Sequence, residues 1–229
     1  MKFNKLKKFY LVLDTEATNG LEDSIVYDIG YMVIDRQGRV YEHDSVLIRD
    51  ILVDRPDMMK TAYYYDKMPL YREKYRQGKI RLDSFYNVKW KIRNLFKKYP
   101  NLILCAYNTR FDLNALNITC GFTSQWQDSY FFPYGTEVYD IWSMAKDTIC
   151  KQKSYRTFCD KYEFKTKRGA LKTSAEVVYR YMKLDHEYIE EHTGLEDVKI
   201  EARVMLLAMR QGKKMRRHLW KSDQLKFGY

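Results

Sequence analysis

The chain has 229 residues, 45% of them apolar, which is enough to fill one hydrophobic core and predicts a single domain. Its 41 basic and 30 acidic residues give a formal net charge of +11, which suits either a polyanionic partner or an ordinary basic surface. No apolar run approaches the roughly 20 residues of a membrane-spanning helix, which argues against a membrane-spanning protein. The cysteines have neither a CxxC pair nor a zinc-like spacing, which argues against a cysteine-ligated zinc site.

The first predicted element is a buried strand over Phe9–Leu13, and the acids Asp14 and Glu16 come immediately after it. Strand side chains alternate between the two faces, so these two carboxylates point the same way. Carboxylates on one face repel each other and are costly to desolvate. The pair therefore predicts a cation between them, and a divalent metal ion is the best candidate.

Two further strand-like runs follow, at Ile29–Ile34 and Val40–Ile48, and residues 35–38 between them predict a hairpin turn. Residues 54–79 are rich in Tyr, Met and Arg and have weak periodicity, which indicates short helices and loops. Strands therefore dominate the start of the chain.

A clear helix comes next, which Asp83 or Ser84 can cap and Pro100 ends. Its apolar face repeats at the helical spacing of 3.6 residues. That face contains Phe85, Val88, Ile92, Leu95, Phe96 and Tyr99. The apolar run Leu102–Tyr107 then predicts a fourth strand.

The middle of the chain alternates between strand and helix patterns. Phe111–Thr119 predicts a helix that closes near Gly121, and Val138–Trp142 predicts a short fifth strand. Residues 143–183 look mainly helical, with a basic loop at residues 165–169. Strands first, followed by alternating strands and helices, predict a mixed sheet with helices on both faces.

The last strong helix follows Thr193, which forms a Thr-x-x-Glu capping box with Glu196, and Gly212 ends it. Its apolar stripe consists of Leu195, Val198, Ala202, Met205, Leu206 and Met209. The basic residues beyond this helix predict a loosely held tail over residues 213–229, so residues 1–212 form the predicted domain.

Acids and a histidine recur at the ends of these elements. Asp112 follows the fourth strand as Asp14 follows the first, and reactive groups gather at the carboxyl ends of strands in open α/β sheets. His192 lies just before the capping box, and Asp197 lies on the first turns of the last helix. Taken singly, each has an ordinary structural explanation, such as an acid that a helix dipole stabilises. Together they outweigh those separate explanations.

The ordered set resembles the motifs of the DEDDh 3′–5′ exonucleases, the family of the proofreading subunit of bacterial DNA polymerase III and ribonuclease T. Asp14–Glu16 is similar to the first motif, Asn108–Asp112 to the second and His192–Asp197 to the third. Tyr27–Gly30 resembles the stretch that opens the family's second strand. The motifs occur in family order and span residues 9–210, most of the chain.

The resemblance implies a ribonuclease H-like α/β fold, in which helices flank both faces of a mixed five-stranded sheet, and makes residues 1–212 an exonuclease domain. It implies two divalent ions, Mg²⁺ or Mn²⁺, held by Asp14, Glu16, Asp112 and Asp197. His192 is then the general base, a role that an unperturbed pKa of about 6.5 suits. The implied reaction is two-metal hydrolysis of DNA from a single-stranded or frayed 3′ end to nucleoside 5′-monophosphates.

Basic residues are concentrated in residues 151–172 and again in residues 213–221, where Trp220 is interleaved with them. Lys and Arg neutralise phosphates and aromatic rings stack on bases, although a solvated charged face is the alternative. We expect Lys167 and Arg168 to contact a nucleic-acid strand. By resemblance, further contacts to the terminal nucleotide fall to Asn19, Gly20, Leu21, Asn108 and Phe111.

Several alternatives remain open from the sequence. The substrate could be RNA, because contacts to the 2′-OH distinguish RNA from DNA and no motif reveals them. The protein could also have no catalytic activity. It would then be a nucleic-acid-binding module, or a basic interaction protein whose motif match is accidental. A polymerase partner and a homodimer, as in some relatives, are also open. The reduced cysteines and a first apolar run too short for a signal peptide predict a cytoplasmic protein without a membrane partner.

Overall fold

A mixed six-stranded sheet forms the centre of the protein, whose computed structural model describes residues 7–19, 23–123 and 130–218. The strands are β1 Phe9–Thr18, β2 Ile25–Asp35, β3 Val40–Ile48, β4 Arg81–Asp83, β5 Leu102–Ala106 and β6 Val138–Asp140. They lie in the order β4-β3-β2-β1-β5-β6, and only β2 runs antiparallel to its neighbours. The sequence predicted five strands; the sixth, β4, has three residues, too few for a periodic pattern to reveal.

Helices cover both faces of this sheet, as predicted. Within the described residues they are α1 Arg49–Leu52, α2 Pro56–Met59, α3 Met68–Arg76, α4 Phe85–Lys98, α5 Thr109–Thr123, α6 Ile141–Asp147, α7 Lys153–Lys161, α8 Ala175–Lys183 and α9 Gly194–Arg210. A 3₁₀ turn spans Tyr65–Lys67, so the region of residues 54–79 consists of short helices and loops as expected. No described helix has both the length and the apolar character needed to span a membrane.

The two faces of the sheet carry separate hydrophobic cores. Phe9, Leu11 and Leu13 of β1 point to one face and pack with buried residues of α4 and α5. Tyr10 and Val12 point to the other face and pack with buried residues of α6 to α9. This strict alternation is the strand period that the sequence showed, and it assigns Asp14 and Glu16 to the α9 face.

Several boundaries differ from the predictions: β1 continues to Thr18 and β2 begins at Ile25, and three further differences have local reasons. The strand predicted at Val138–Trp142 ends at Asp140, because that side chain accepts hydrogen bonds from the N–H and the hydroxyl of Ser143 and caps α6. Helix α5 continues past Gly121, which lacks the positive φ of a helix-ending glycine. The stretch 162–174 between α7 and α8 is not helical and contains a bridge between Lys165 and Leu171.

The start of the predicted loose tail is anchored to the edge of the sheet. The Asp140 N–H donates to the Arg217 carbonyl at 2.7 Å, and His218 forms a β-bridge with Tyr139. The Arg216 guanidinium binds the Asp147 carboxylate through Nε at 2.8 Å and Nη2 at 3.2 Å. The prediction of a loose tail is therefore wrong up to residue 218, and Trp220 lies outside the described residues.

Candidate active site

A cleft of about 640 Å³ opens where β1 and β5 separate. The two strands pair in parallel only from Phe9 to Val12 of β1, after which the chain leaves β5 for α5. Beyond Val12, β1 continues with β2 on one side and without β5 on the other, so Asp14 and Glu16 line the cleft. This is the carboxyl end of the sheet, as the sequence predicted.

Five predicted side chains converge in this cleft, although three separate parts of the chain supply them. They are Asp14 and Glu16 from β1, Asp112 from the first turn of α5, His192 from the loop before α9 and Asp197 from its first turn. The Thr15 hydroxyl donates to Asp112 Oδ1 at 2.9 Å and thereby ties β1 to α5. Both Asp112 and Asp197 are buried.

The start of α9 is positioned differently from the prediction. The helix begins at Gly194 as predicted, but the Thr193 hydroxyl makes no capping hydrogen bond and instead accepts one from Lys74 at 3.0 Å. The carboxylate of buried Asp28 on β2 takes over this role and accepts the Gly194 N–H at 2.9 Å. Glu196 forms an ion pair with Lys199, so the predicted capping box is wrong.

The carboxyls of the cleft are held in a state that favours binding of protons or cations. Burial, with the repulsion of neighbouring acids, raises the pKa of Glu16 and of Asp197 to about 9 and raises that of Asp14 well above its usual range. Burial also raises the pKa of Asp112 to about 7, against the lowering effect of its hydrogen bond from Thr15. Ionised together, these groups require a nearby positive charge.

The donor atoms fit the divalent ions that the fold family implies. Asp14 Oδ2, Asp197 Oδ1 and Glu201 Oε2 are buried without a hydrogen-bond partner among the described residues. Single ligand atoms of Glu16, His192 and Asp197 all lie within 4.8 Å of one another. Carboxylate oxygens are the ligands that Mg²⁺ and Mn²⁺ prefer, so this oxygen-rich set suits them.

His192 faces the acids from the rim of the cleft. Its Nδ1 lies 4.0 Å from Asp197 Oδ2 and 3.8 Å from Glu190 Oε2, distances beyond a direct hydrogen bond. Burial and the charge of Lys67 lower the pKa of His192, which favours the neutral imidazole. A neutral imidazole is the form that can accept a proton.

Sequence reasoning missed several cleft residues, among them Tyr63, Tyr64, Glu190 and Glu201. Glu201 lies four residues after Asp197 on α9, and helical spacing places both on one face, so this signal was available. Glu190 and the two tyrosines lie on loops, where no period predicts their direction. Burial raises the pKa of Glu190 to about 7 and that of Glu201 well above its usual range.

The predicted substrate contacts divide into two groups. Asn108 and Phe111 line the cleft, whereas Lys167 and Arg168 lie on an exposed loop that leads to Ser174 at its rim. Asn19 adjoins the cleft through Thr61, whose hydroxyl donates to its Oδ1 at 2.6 Å. The remaining two predicted contacts, Gly20 and Leu21, lie outside the described residues.

Solved structures of 3′–5′ exonucleases share this fold. The nuclease domain of 3′hExo, a DEDDh family member bound to rAMP, matches with a TM-score of 0.60 at 13% identity over 94% of this chain and 98% of that chain. A 3′-exonuclease in a structure of histone mRNA stem-loop recognition matches with a TM-score of 0.54 at 15% identity, over 95% and 69% of the chains. Escherichia coli exonuclease I in complex with a dA16 oligonucleotide matches with a TM-score of 0.52 at 14% identity, over 90% and 42% of the chains.

The sequence itself matches no protein-family model and no curated protein. At identities of 13–15% the structural likeness establishes the fold alone. The predicted DEDDh-type exonuclease fold is confirmed.

Proposed function

We propose that this chain is a metal-dependent 3′–5′ exonuclease of the DEDDh type, which shortens DNA at single-stranded or frayed 3′ ends and releases nucleoside 5′-monophosphates. One observation carries the proposal: four predicted acids and a histidine share one cleft, and buried carboxylate oxygens there have no partner among the described residues. A protein that only binds nucleic acid has no use for an arrangement that repels its ligand's phosphates.

In this proposal Asp14, Glu16, Asp112 and Asp197 hold two divalent ions, Mg²⁺ or Mn²⁺. When bound, such ions neutralise charge on the phosphodiester and favour ionisation of water. The pairing of β1 with β2 fixes the backbone that presents Asp14 and Glu16, and Thr15 orients the carboxylate of Asp112. Such an arrangement reduces the reorganisation that the acids need during the reaction.

His192 is the proposed general base. It takes a proton from the attacking water, whose oxygen forms the new bond to phosphorus. The bond from phosphorus to the 3′ oxygen of the preceding nucleotide breaks, and that oxygen leaves as a hydroxyl after gaining a proton. The products are a nucleoside 5′-monophosphate and a strand shortened by one nucleotide.

RNA is the second candidate substrate, favoured by two of the structural neighbours. The structures of 3′hExo with rAMP and of histone mRNA stem-loop recognition concern RNA components, whereas the exonuclease I complex holds DNA. The discriminating group is the ribose 2′-OH, which can both donate and accept a hydrogen bond. A polymerase partner and a homodimer stay predictions from the family resemblance.

A nuclease assay tests the proposal. The purified protein is incubated with 5′-labelled single-stranded DNA, duplex DNA or RNA, with Mg²⁺, Mn²⁺ or a chelator. We expect a ladder of products shortened from the 3′ end only when metal is present. The rate of cleavage of each polymer identifies the preferred substrate. Asp14→Asn and Asp112→Asn should abolish the ladder, whereas Asp54→Asn, at an exposed acid outside the cleft, should not.

Two results would contradict the proposed nuclease function. Hydrolysis that persists in a folded Asp14→Asn variant, or in excess chelator, would show that another site or a contaminant is responsible. His192→Ala should lower the rate roughly 10²–10⁴-fold while strand binding persists. An unchanged rate at neutral pH would remove His192 from the mechanism.

A further inference from the structure

The segment between β3 and β4, residues 49–80, packs against the loop that carries His192. Its Tyr64 ring stacks on the His192 imidazole with 4.3 Å between ring centroids and 12° between ring planes. The exposed Tyr63 ring lies edge-on against the Tyr64 ring, with 4.8 Å between the ring centroids. Parallel stacking at this distance restricts rotation of a side chain that is only partly buried.

The same segment also holds the backbone on either side of His192. Lys67 Nζ donates to the Glu191 carbonyl at 2.8 Å, and Lys74 Nζ donates to the Thr193 hydroxyl at 3.0 Å. Lys74 forms an ion pair with the Glu191 carboxylate as well. Both neighbours of His192 in the chain are therefore fastened to residues 49–80.

His192 adopts a backbone conformation that needs such support. Its φ of 54° lies in the left-handed region, which is uncommon for a residue other than glycine and costs roughly 1 kcal/mol or more. The Tyr71 hydroxyl donates to buried Asp28 at 2.8 Å and lies 3.4 Å from the His192 carbonyl. These contacts aim the imidazole at the acids on β1 and α9, as its distance of 4.0 Å from Asp197 records.

We propose that Tyr64 is a positioning residue for His192, an inference that rests on the proposed nuclease function. Stacking holds the plane of the imidazole beside Asp197 and leaves the edge that bears its ring nitrogens available for a proton. The contacts from residues 49–80 define a base that is in place before substrate arrives. The phenol ring is what matters, so the hydroxyl of Tyr64 is dispensable.

A spectroscopic test reads the stacking without any reaction. In protein labelled with ¹³C-histidine, the His192 imidazole resonance is assigned by its loss in His192→Ala. The ring current of a stacked aromatic group shifts this resonance upfield, so Tyr64→Leu should move it downfield and Tyr64→Phe should leave it near the wild-type position. His186, which stacks on Tyr162 at 4.1 Å, is an internal control that neither variant moves.

Kinetics of the metal-loaded enzyme supply the second readout. We expect Tyr64→Leu to lower kcat about 10- to 100-fold with little change in KM, since a misplaced base weakens the reaction step rather than binding. Tyr64→Phe should retain kcat within about twofold. Tyr75→Leu removes an exposed tyrosine elsewhere in the same segment, outside the cleft, and should leave kcat unchanged.

Each outcome decides between the explanations. A fall in kcat with an unmoved His192 resonance, or a rise in KM alone, would overturn the proposal and make Tyr64 a substrate contact. A moved resonance with unchanged kcat would also overturn it. If Tyr64→Leu does not fold, Tyr64→Met takes its place. Wild-type protein that cleaves no nucleic acid would refute the proposed function instead, and the resonance would still report whether the rings stack.

Discussion

The backbones of Gly30 on β2 and Gly194 at the start of α9 touch each other. A Cβ on Gly30 would lie 2.0 Å from the Gly194 carbonyl carbon, and a Cβ on Gly194 would lie 2.5 Å from the Gly30 nitrogen. This approach lets the Gly194 N–H reach Asp28 and brings Asp197 to the cleft. Both positions require glycine because a side chain would collide with the facing backbone. Backbone conformation is not the reason, since neither residue has a positive φ.

Gly30→Ala should therefore destabilise the protein strongly. The added methyl group meets backbone atoms that cannot rotate away, so we expect a loss of at least about 3 kcal/mol of unfolding free energy, the upper range of overpacking. Urea unfolding followed by circular dichroism measures this loss. Gly121→Ala in α5, where an added Cβ meets nothing within 4 Å, is the control and should be neutral or slightly stabilising. Equal stabilities of the two variants would contradict the contact.

The metal-free protein should lose stability as the pH rises from about 4.5 to about 9. The folded-state pKa values of Glu16 and Asp197, about 9, lie above their unfolded values, so the folded protein binds more protons across this window. Unfolding then releases protons and becomes easier as the pH rises. Melting temperatures between pH 6 and 9 in a chelator test this, and Mn²⁺ should reduce the decline. A metal-free melting temperature that rises over this range would refute it.

Glu201→Gln should stabilise the metal-free protein at pH 8. Burial raises the pKa of Glu201 well above its usual range, so the folded carboxyl must take up a proton that the unfolded chain lacks. The amide removes that requirement, and we expect a gain of about 1–3 kcal/mol at pH 8 that vanishes once the pH falls well below the unfolded pKa of about 4.3, where both states are protonated. Glu196→Gln, at the partly exposed acid paired with Lys199, should change little. A loss of stability at pH 8 would contradict this account.

Arg216→Ala should release the chain after α9 without unfolding the domain. The pair with Asp147 is largely exposed on the arginine side, so its loss should barely change the melting temperature. Cleavage by trypsin after the remaining sites, Lys213, Lys214 and Arg217, should become faster. Lys151→Ala removes another partner of the same carboxylate, at 3.1 Å, but leaves the tail attached, and should not accelerate cleavage. Equal cleavage rates in both variants would argue against anchoring by Arg216.

Arg168→Glu should weaken strand binding and flatten its salt dependence. If Arg168 neutralises one phosphate of a single strand, the slope of log K against log salt should fall by about 0.7, before any further effect of the new charge. Fluorescence anisotropy with a labelled oligonucleotide at several salt concentrations measures it. Lys97→Glu, at an exposed position on α4, makes the same charge reversal outside the cleft and the basic loop. If both variants have the wild-type slope, Arg168 is not a strand contact.

Much of the fold could be predicted from local patterns. The alternation of β1 and the helical stripes of α4 and α9 appear in the structure because side-chain period follows directly from backbone geometry. The short strand β4 and the anchored segment before residue 219 could not be predicted. Both depend on hydrogen bonds to a distant part of the chain, which leave no periodic signal.

The sequence by itself determined the types and the order of the acids, the strand that presents Asp14 and Glu16 together, and the helix that carries Asp197. Tertiary structure decided what surrounds them: Asp28 in place of Thr193 at the start of α9, Glu190 in the cleft, and Tyr64 on His192. The physical reason is the separation in sequence of the residues that interact. Backbone period acts between near neighbours in the chain, whereas these contacts form only when packing brings separate elements together.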